Sequence, residues 1–282
     1  MSGLPDLPTL VQLALQEDVG AGDWTTLWTV PETAVVQARI VAKGNGVIAG
    51  TEAAAETFRA VDPSVQLEFS RPDGATVCDG DIVATLEGPA RSILTSERVA
   101  LNFLQRLSGV ATLTRKFVDA IAGTGARILD TRKTTPLMRA LEKQAVLAAG
   151  GSNHRVGLFD MVLVKENHIR AAGGISAAVE AVRRQSSGDL AIEVETSTLE
   201  EVREVLGASV DRVLFDNMSI PMLRQAVSMV RDSGIQIETE ASGGIALSTI
   251  RRVAETGVDF ISLGALTHSP PALDLSLLVS AG

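Results

Sequence analysis

Residues 191–215 read AIEVETSTLEEVREVLGASVDRVLF, and this stretch decides the fold. A short apolar run, Ala191 to Val194, precedes an amphipathic segment with helical periodicity, and a second short apolar run, Arg212 to Phe215, follows it. Two strands joined through a helix lie parallel in one sheet, because a crossover connection brings the chain back to the starting edge. The stretch therefore predicts one strand, helix, strand unit of an α/β fold.

The same alternation continues on both sides of this stretch. The predicted strands are Arg127 to Asp130, Met161 to Val164, Ala191 to Val194, Arg212 to Phe215, Ile235 to Ile237 and Phe260 to Leu263. Six strands predict an incomplete or six-stranded α/β barrel, which would bring all the strand ends to one rim, where barrel enzymes build their sites. An open, doubly wound sheet is the alternative and would spread these ends along an edge.

The first ninety residues have a different pattern. Short alternating runs such as Val35 to Ala42 and Ile82 to Leu86 are separated by turn sequences, which predicts a small α+β domain. A helix from Ser92 to Leu107 that stops at Gly109, and a second helix to about Ala122, are expected to form the bridge to the barrel.

Bulk composition excludes several classes of protein. The chain has 282 residues, 45% of them apolar, and a net charge of −9 with 3% aromatic residues and no Tyr, which argues against a nucleic-acid surface. No apolar run approaches the roughly 18 residues that a membrane span needs. No Lys or Arg precedes Arg39, so a secretory signal is not expected, and a lone cysteine, Cys78, suits a reducing compartment. We expect a cytoplasmic protein that binds neither nucleic acid nor membrane.

Residues 127–170 form a basic island in this acidic chain. They contain eight Lys or Arg against four acids, a balance of +4, so the rest of the chain carries −13. Cations concentrated among turn residues at the ends of apolar runs indicate a pocket for a multiply charged anion. The alternative is a solvated helix face, but only Arg139 and Lys143 have the spacing that a helix face requires.

The predicted strand ends carry the candidate chemistry. In chain order they deliver Thr131, Arg132, Lys133, Lys165, Glu195, Asp216, Glu240, Ser242 and Gly264. Glycines at Gly243 and Gly244, ahead of a helix expected near Ala246, suggest a phosphate-binding cup, with ordinary turn chemistry as the alternative.

Two acids at this rim suggest a metal site. Glu195 and Asp216 are carboxylates with no cysteine nearby, which suits Mg²⁺ held partly through water and substrate phosphates. Structural salt bridges to Arg132 or Lys165 are the alternative, and the two roles are compatible. His154, in a glycine-rich turn, is a candidate anion contact, although a lone histidine is more often structural. Such a site suits phosphoribosyl diphosphate together with an anionic co-substrate.

At these residues the sequence resembles the quinolinate phosphoribosyltransferase family, the decarboxylating nicotinate-nucleotide pyrophosphorylases of NAD biosynthesis. The blocks that carry the resemblance are Asp130-Thr131-Arg132-Lys133-Thr134, Gly150 to Gly157, and Lys165-Glu166-Asn167-His168. Similarity runs from Glu17-Asp18 to Gly264-Ala265-Leu266-Thr267-His268, which is nearly the whole chain. Trp24 departs from the aliphatic residue expected there, at a position with no identified chemistry.

The resemblance implies a fold, an assembly and a site. Residues 1–110 would form an N-terminal α/β sandwich domain, with the tail 269–282 packing back on it, and residues 111–268 an incomplete barrel of six or seven strands. The assembly would be a homodimer or larger, with Arg98 reaching the neighbouring subunit's site. The expected substrate-binding residues are Arg98, Thr131, Arg132, Lys133, Lys143, His154, Arg155, Lys165, Glu195, Asp216, Ser242, Gly243, Gly244, Gly264 and His268. Among them Lys133, Lys165, Glu195 and Asp216 would be catalytic, with Glu195 and Asp216 holding Mg²⁺.

The implied reaction joins quinolinate to 5-phosphoribosyl 1-diphosphate with loss of carbon dioxide and pyrophosphate. Three other interpretations stay open. A molybdate-operon paralogue shares this fold but takes a different anionic substrate. A Schiff-base aldolase would use Lys165 as its amine. A non-catalytic anion-binding protein would bind the ribose diphosphate without releasing pyrophosphate.

Overall fold

The computed structural model describes residues 5–186 and 190–280. The strands are β1 (Val35–Ala42), β2 (Gly46–Val47), β3 (Gln66–Phe69), β4 (Thr76–Val77), β5 (Ile82–Pro89), β6 (Arg127–Leu129), β7 (Val162–Val164), β8 (Ile192–Thr196), β9 (Arg212–Asp216), β10 (Glu238–Ser242), β11 (Phe260–Ser262) and β12 (Leu275–Val279). The helices are α1 (Leu7–Val19), α2 (Trp24–Thr29), α3 (Thr51–Val61), α4 (Ala90–Ala120), α5 (Arg139–Ala148), α6 (Glu166–Ala172), α7 (Ile175–Gln185), α8 (Leu199–Leu206), α9 (Ile220–Asp232), α10 (Ile250–Ala254) and α11 (Ala265–His268). None of these helices is long and apolar enough to cross a membrane.

The described chain forms two compact units. The first comprises residues 5–115, 134–150 and 266–280, and the second comprises residues 116–133, 151–186 and 190–265. Residues 134–150 thus belong to the first unit, whereas the boundaries expected from the sequence place them in the barrel domain.

The first unit is built on a four-stranded antiparallel sheet in the order β12-β1-β5-β3. The C-terminal tail supplies the edge strand β12, with Ala38 of β1 opposite Val279. Buried apolar side chains from the sheet and from α3 and α4, including Ile40, Phe58 and Ile93, make one core. Burial of such large side chains is the main stabilising contribution of this layer.

Helix α4 differs from the sequence prediction. It is one continuous helix of 31 residues, Ala90–Ala120, and does not stop at Gly109. A Cβ atom at Gly109 would lie 2.3 Å from the carbonyl oxygen of Pro271 and 3.0 Å from the Cα of Ala272. The glycine therefore permits the returning C-terminal segment to pass close to the helix, and it is not a helix terminator.

The second unit contains the predicted barrel. Six strands lie in the order β6-β11-β10-β9-β8-β7, and all neighbouring pairs are parallel. Among the described residues no ladder joins β6 to β7, so the barrel is incomplete, as the sequence predicted. The α/β fold class is confirmed.

One predicted strand was placed wrongly. The fifth barrel strand is Glu238–Ser242, not Ile235 to Ile237. Ile235 lies in the preceding turn and is 48% exposed. The strand was hidden because two of its five residues, Glu238 and Glu240, are acidic. Glu238 is paired with Arg212 of the neighbouring strand at 2.7 Å.

An aromatic ring and two cations meet at the amino ends of the barrel strands. The guanidinium groups of Arg127 and Arg212 lie over the ring of Phe260 at the start of β11, 4.4 Å and 4.2 Å from its centroid. We call these three residues the floor stack. Cation–π contacts of this kind stabilise charged groups that face an apolar interior.

Candidate active site

Polar side chains gather at the carboxyl ends of four neighbouring strands. Lys165 follows β7, Glu195 lies on β8, Asp216 ends β9 and Ser242 ends β10. Because these strands are parallel and adjacent, the four residues lie on one rim of the barrel, with Ser242 directly opposite Asp216. The convergence expected from the sequence is therefore present.

Lys165 and Glu195 form an ion pair at this rim. The Nζ of Lys165 lies 2.6 Å from Oε2 of Glu195, and the side chains are 48% and 16% exposed. The backbone N–H of Lys165 donates to Nδ1 of His168, 2.9 Å away, so this histidine stabilises the first turn of α6. The salt-bridge alternative for Glu195 thus exists, and the other carboxylate oxygen, Oε1, makes only a long contact of 3.4 Å with the N–H of Glu166.

Asp216 is held by a strained neighbour. Asn217 has a left-handed φ of 54°, and its side-chain Nδ2 donates to Oδ2 of Asp216 at 2.8 Å. Its backbone N–H donates to the carbonyl of Ser242 at 2.9 Å. Gly243 packs against this asparagine so closely that a Cβ would lie 2.3 Å from the Oδ1 atom of Asn217. Left-handed residues at such positions commonly mark functional loops.

The glycine loop differs in one respect from the predicted phosphate cup. Gly243 and Gly244 have φ values of 91° and 59°, but the next helix, α10, begins at Ile250 and not near Ala246. A turn lies between, where the N–H of Ala246 donates to Oγ1 of Thr249. Any phosphate here would therefore be bound by loop N–H groups without a helix start behind them. Gly264 occupies a similar place after β11.

Arg155 is a nearly buried cation, 9% exposed. One guanidinium nitrogen donates to the carbonyl of Met161, 3.1 Å away. Burial lowers the pKa of Arg155, and the positive charge of Arg132 lowers it further, while Glu193 and Asp160 oppose these effects. The structure thus brings two guanidinium groups close enough for one to destabilise the charge on the other.

Arg132 and Lys133 lie on the loop that leaves β6. The backbone N–H of Lys133 donates to Oγ1 of Thr131 at 3.0 Å, which turns the chain immediately after the strand. Lys133 is exposed, whereas Arg132 is half-buried. This loop adds two cations to the same unit as Arg155 and Lys165.

His154 is fixed on every side. Its backbone N–H donates to the buried carboxylate of Asp130 at 2.9 Å, and its Nδ1 accepts the N–H of Arg155 at 2.7 Å. Its Nε2 lies 3.0 Å from Oε2 of Glu193 and 3.5 Å from Oε2 of Glu240. Both ring nitrogens therefore face protein groups in the barrel interior, where the ring is 6% exposed.

The tautomer of His154 follows from these contacts. Since Nδ1 accepts a hydrogen bond, we assign the ring proton to Nε2, between the two carboxylates. The imidazole and the two carboxylates have ligand atoms within 4.8 Å of one another, as a metal site would require. A metal would need the Nε2 lone pair, however, and that nitrogen carries the proton. With this tautomer, the cluster shares a proton, and a metal ion at Nε2 would have to displace it.

Glu193 and Glu240 are both fully buried. Burial raises the pKa of Glu193 to about 7, and the charge of Arg212 opposes the shift. Burial also raises the pKa of Glu240 to about 7, with repulsion from Glu193 as the next cause. At neutral pH the pair accordingly retains a proton, and Arg212, whose NH1 is 3.3 Å from Glu240, balances the remaining charge.

Other predicted site residues belong to the first unit. Lys143 is buried on α5, Arg98 is an exposed side chain on α4, and His268 is exposed at the end of α11. Arg139, whose claim from the sequence is weak, donates to Oγ1 of Thr134 at 3.0 Å, within its own segment.

Comparison with known proteins decides the family. Residues 23–108 match the model for the N-terminal domain of quinolinate phosphoribosyl transferase, and residues 110–278 match the model for its C-terminal domain. The chain belongs to the quinolinate phosphoribosyltransferase family.

Individual relatives of this family cover nearly the full chain. It is 47% identical over 269 residues to a probable nicotinate-nucleotide pyrophosphorylase (carboxylating) of Synechocystis, covering 95% of this chain and 91% of the relative. The chloroplastic nicotinate-nucleotide pyrophosphorylase (carboxylating) of Arabidopsis thaliana is 45% identical, with 97% and 83% covered. The solved nicotinate-nucleotide pyrophosphorylase of Francisella tularensis superposes with a TM-score of 0.92 at 40% identity, with 97% and 96% covered.

In this member of the quinolinate phosphoribosyltransferase family, the sequence did not predict that two acids, Glu193 and Glu240, lie buried in the barrel interior. Glu193 was absorbed into an apolar strand, and Glu240 was assigned to a strand end when it lies in mid-strand. A signal was present for the first of them. Glu193 is two residues from Glu195, and alternate residues of a strand share a face, so both acids had to point into the barrel.

Proposed function

We propose that this protein transfers the phosphoribosyl group of 5-phosphoribosyl 1-diphosphate to quinolinate with decarboxylation. The products are nicotinate mononucleotide, pyrophosphate and carbon dioxide. Family membership over both domains supports the proposal, as do relatives 44–47% identical to this chain that are nicotinate-nucleotide pyrophosphorylases by name. The molybdate-operon alternative gains no support from these matches.

One observation carries the proposal. Arg155 is nearly buried beside Arg132, and the two like charges disfavour each other. A nearly buried guanidinium group with a half-buried one beside it is stabilised when a dianion binds beside them, and arginine is suited to bidentate contact with carboxylates. Quinolinate carries two adjacent carboxylates. Lys133 and the Arg98 of a neighbouring subunit complete the set of contacts that we assign to this co-substrate, with His154 behind Arg155.

The two rim acids fit Mg²⁺ by their donor chemistry. Glu195 and Asp216 supply carboxylate oxygens from neighbouring strands, and neither is fully buried, so water and diphosphate oxygens can complete the shell. The ion pair with Lys165 uses Oε2 of Glu195 and leaves Oε1 with one long contact. When bound, the ion would neutralise charge on the diphosphate.

The protein's own contribution is positioning and electrostatic stabilisation. Lys165 lies between the co-substrate carboxylates and the diphosphate, and the loop N–H groups of Ser242, Gly243, Gly244 and Gly264 would bind phosphate oxygens. The pyridine nitrogen attacks the anomeric carbon as the bond to pyrophosphate breaks. Positive charge then develops on the sugar and negative charge on the leaving group, so fixed cations at the rim lower the barrier without a protein nucleophile.

Decarboxylation follows from the new bond. Once the ring nitrogen is quaternary and positive, it stabilises the carbanion that forms when the adjacent carboxylate leaves as carbon dioxide. A proton then replaces that carboxylate on the ring. The second carboxylate is not adjacent to the ring nitrogen, so its loss would not give a carbanion stabilised in this way, and it stays on the ring.

We also propose a homodimer or larger assembly in which Arg98 acts in the neighbouring subunit's site. Its side chain is 55% exposed, and the nearest acid, Glu97, is 3.9 Å away, which leaves the guanidinium able to reach outward. A cytoplasmic location completes the proposal and is supported by the single exposed cysteine, Cys78. Cell fractionation would test it.

Product analysis tests the function directly. The protein is incubated with Mg²⁺ and phosphoribosyl diphosphate plus either quinolinate or nicotinate, and products are identified by mass. We expect nicotinate mononucleotide and carbon dioxide from quinolinate alone. Binding of ribose diphosphate without pyrophosphate release would instead identify an anion-binding protein.

Borohydride trapping tests the aldolase alternative. A Schiff base needs a neutral amine, but Lys165 donates its ammonium to Glu195. We therefore expect no reduced adduct with a carbonyl substrate.

A further inference from the structure

The turn that carries Arg155 is anchored from the barrel interior. Its main chain is held by His154, whose Nδ1 accepts the N–H of Arg155 at 2.7 Å. The histidine in turn depends on Glu193 and Glu240, 3.0 and 3.5 Å from its Nε2. These contacts form a series of polar interactions that runs from the middle of β8 through His154 to the backbone of Arg155.

The two carboxylates are costly to bury, so their retention needs a reason. Glu193 and Glu240 have no solvent exposure, and three of their oxygens have no hydrogen bond of standard geometry. The Nε2 atom of His154 is a polar group within 3.5 Å of both acids. Apolar residues of similar size would stabilise the barrel interior more than these two carboxylates do. Their presence therefore indicates that the carboxylates hold a neighbouring group in position.

We propose that Glu193, supported by Glu240, is a positioning residue for co-substrate binding: it orients the His154 imidazole, and the imidazole fixes the backbone of Arg155. The inference rests on the proposed role of Arg155 in binding a quinolinate carboxylate. Neither acid touches the substrate. His154 then acts through Arg155, and the direct anion contact expected from the sequence is not its main contribution.

Two substitutions of His154 distinguish the contribution of Nδ1 from that of Nε2. In His154→Asn, the amide oxygen takes the place of Nδ1 and can still accept the N–H of Arg155, but nothing replaces Nε2. In His154→Gln, the amide nitrogen reaches the place of Nε2, but no acceptor remains near Arg155. Positioning through the Arg155 backbone predicts that the Asn variant keeps the lower KM for quinolinate. A direct contact between Nε2 and substrate predicts the opposite order, and that order would overturn the proposal.

Substitutions at Glu193 test the contact between this acid and the imidazole of His154. Glu193→Gln keeps an oxygen acceptor for Nε2, and Glu193→Leu removes it at similar volume. We expect the Leu variant to raise KM for quinolinate roughly tenfold, as the loss of one buried hydrogen-bonding group implies, with KM for phosphoribosyl diphosphate within about twofold. The Gln variant should stay within about threefold of the native protein. A Leu variant with native KM, or Gln and Leu variants impaired equally, would show that Glu193 does not act as an acceptor for His154.

Two measurements keep these results interpretable. Thermal unfolding identifies variants that do not fold. If Glu193→Leu is one of them, Glu193→Met takes its place as the variant without an acceptor, and the order of the two His154 variants still tests the link from His154 to Arg155. Arg155→Lys separates this inference from the proposed function. If Arg155→Lys leaves KM for quinolinate unchanged, the role of Arg155 is wrong. If it raises KM but the Glu193 and His154 series do not behave as stated, only the positioning proposal fails.

Discussion

Replacing Gly243 by alanine should damage the rim far more than replacing its neighbour Gly244. Both residues have left-handed φ values, 91° and 59°, so each alanine variant incurs a conformational cost of about 1–2 kcal/mol. Only at Gly243 does the new Cβ meet a neighbour at 2.3 Å, the Oδ1 of Asn217, whereas the Cβ at Gly244 lies 3.8 Å from the same atom. Gly244→Ala is therefore a matched control for backbone strain.

The extra cost at Gly243 can be worked out. Contacts between heavy atoms are comfortable near 3.5 Å, so Asn217 must retreat by roughly 1 Å. Retreat breaks the hydrogen bond of 2.8 Å from Asn217 to Asp216, and a hydrogen bond to a charged group contributes about 1.5–3 kcal/mol. Asp216 then loses its fixed orientation toward the proposed Mg²⁺ position.

Thermal unfolding and magnesium titration measure both consequences. We expect Gly244→Ala to lower Tm by roughly 2–8 °C, and Gly243→Ala to lower it further by a similar amount. The concentration of Mg²⁺ that gives half-maximal activity should rise at least several-fold in Gly243→Ala and little in the control. Equal effects of the two variants on both quantities would refute the link from Gly243 through Asn217 to Asp216.

Three further predictions concern the remaining charged groups. Arg155→Ala or Lys133→Ala should lower kcat/KM for quinolinate by one to two orders of magnitude, because each lost charge-assisted contact is worth about 1.5–3 kcal/mol. Steady-state kinetics measures the change, and near-normal turnover in both variants would contradict the proposed site. Mixing inactive Arg98→Ala with inactive Lys165→Ala protein should restore partial activity through hybrid assemblies, and a mixture that stays inactive although subunits exchange would place the whole site in one chain. Glu240 has a folded pKa near 7, raised from 4.5, so its contribution to stability is present below pH 4.5 and is lost as pH rises through 7. Glu240→Gln should accordingly raise Tm more at pH 8 than at pH 5 relative to the native protein, and a pH-independent difference in melting curves would count against the buried carboxyl.

Strand and helix periodicity was sufficient to predict the barrel, because β6, β7, β9 and β11 are mainly apolar and β8 keeps apolar residues at alternate positions. It failed at β10, whose residues Glu238 and Glu240 are paired with Arg212 of β9. A local pattern cannot report that a charge is neutralised by a residue 26 positions earlier. The interior acids were missed for the same physical reason: their partners come from other strands.

Gly109 shows a second limit of sequence patterns. A glycine after a helical run normally predicts a helix end, yet here the helix continues and the missing side chain makes room for Pro271. The reason is a close approach of a segment more than 150 residues away along the chain, which no window of local sequence contains. The rim residues, by contrast, were predictable because strand ends of a parallel sheet must lie together whatever else the chain does.

The floor stack of Arg127, Phe260 and Arg212 lies at the opposite end of the sheet from the proposed substrate contacts. Two guanidinium groups lie over one aromatic ring at the amino ends of β6, β9 and β11, whereas Lys165, Glu195 and Asp216 lie at the carboxyl ends of neighbouring parallel strands. The two ends of a barrel sheet commonly separate stability from chemistry. The amino end can therefore change in sequence at a cost in folding, while the carboxyl end can change only at a cost in turnover.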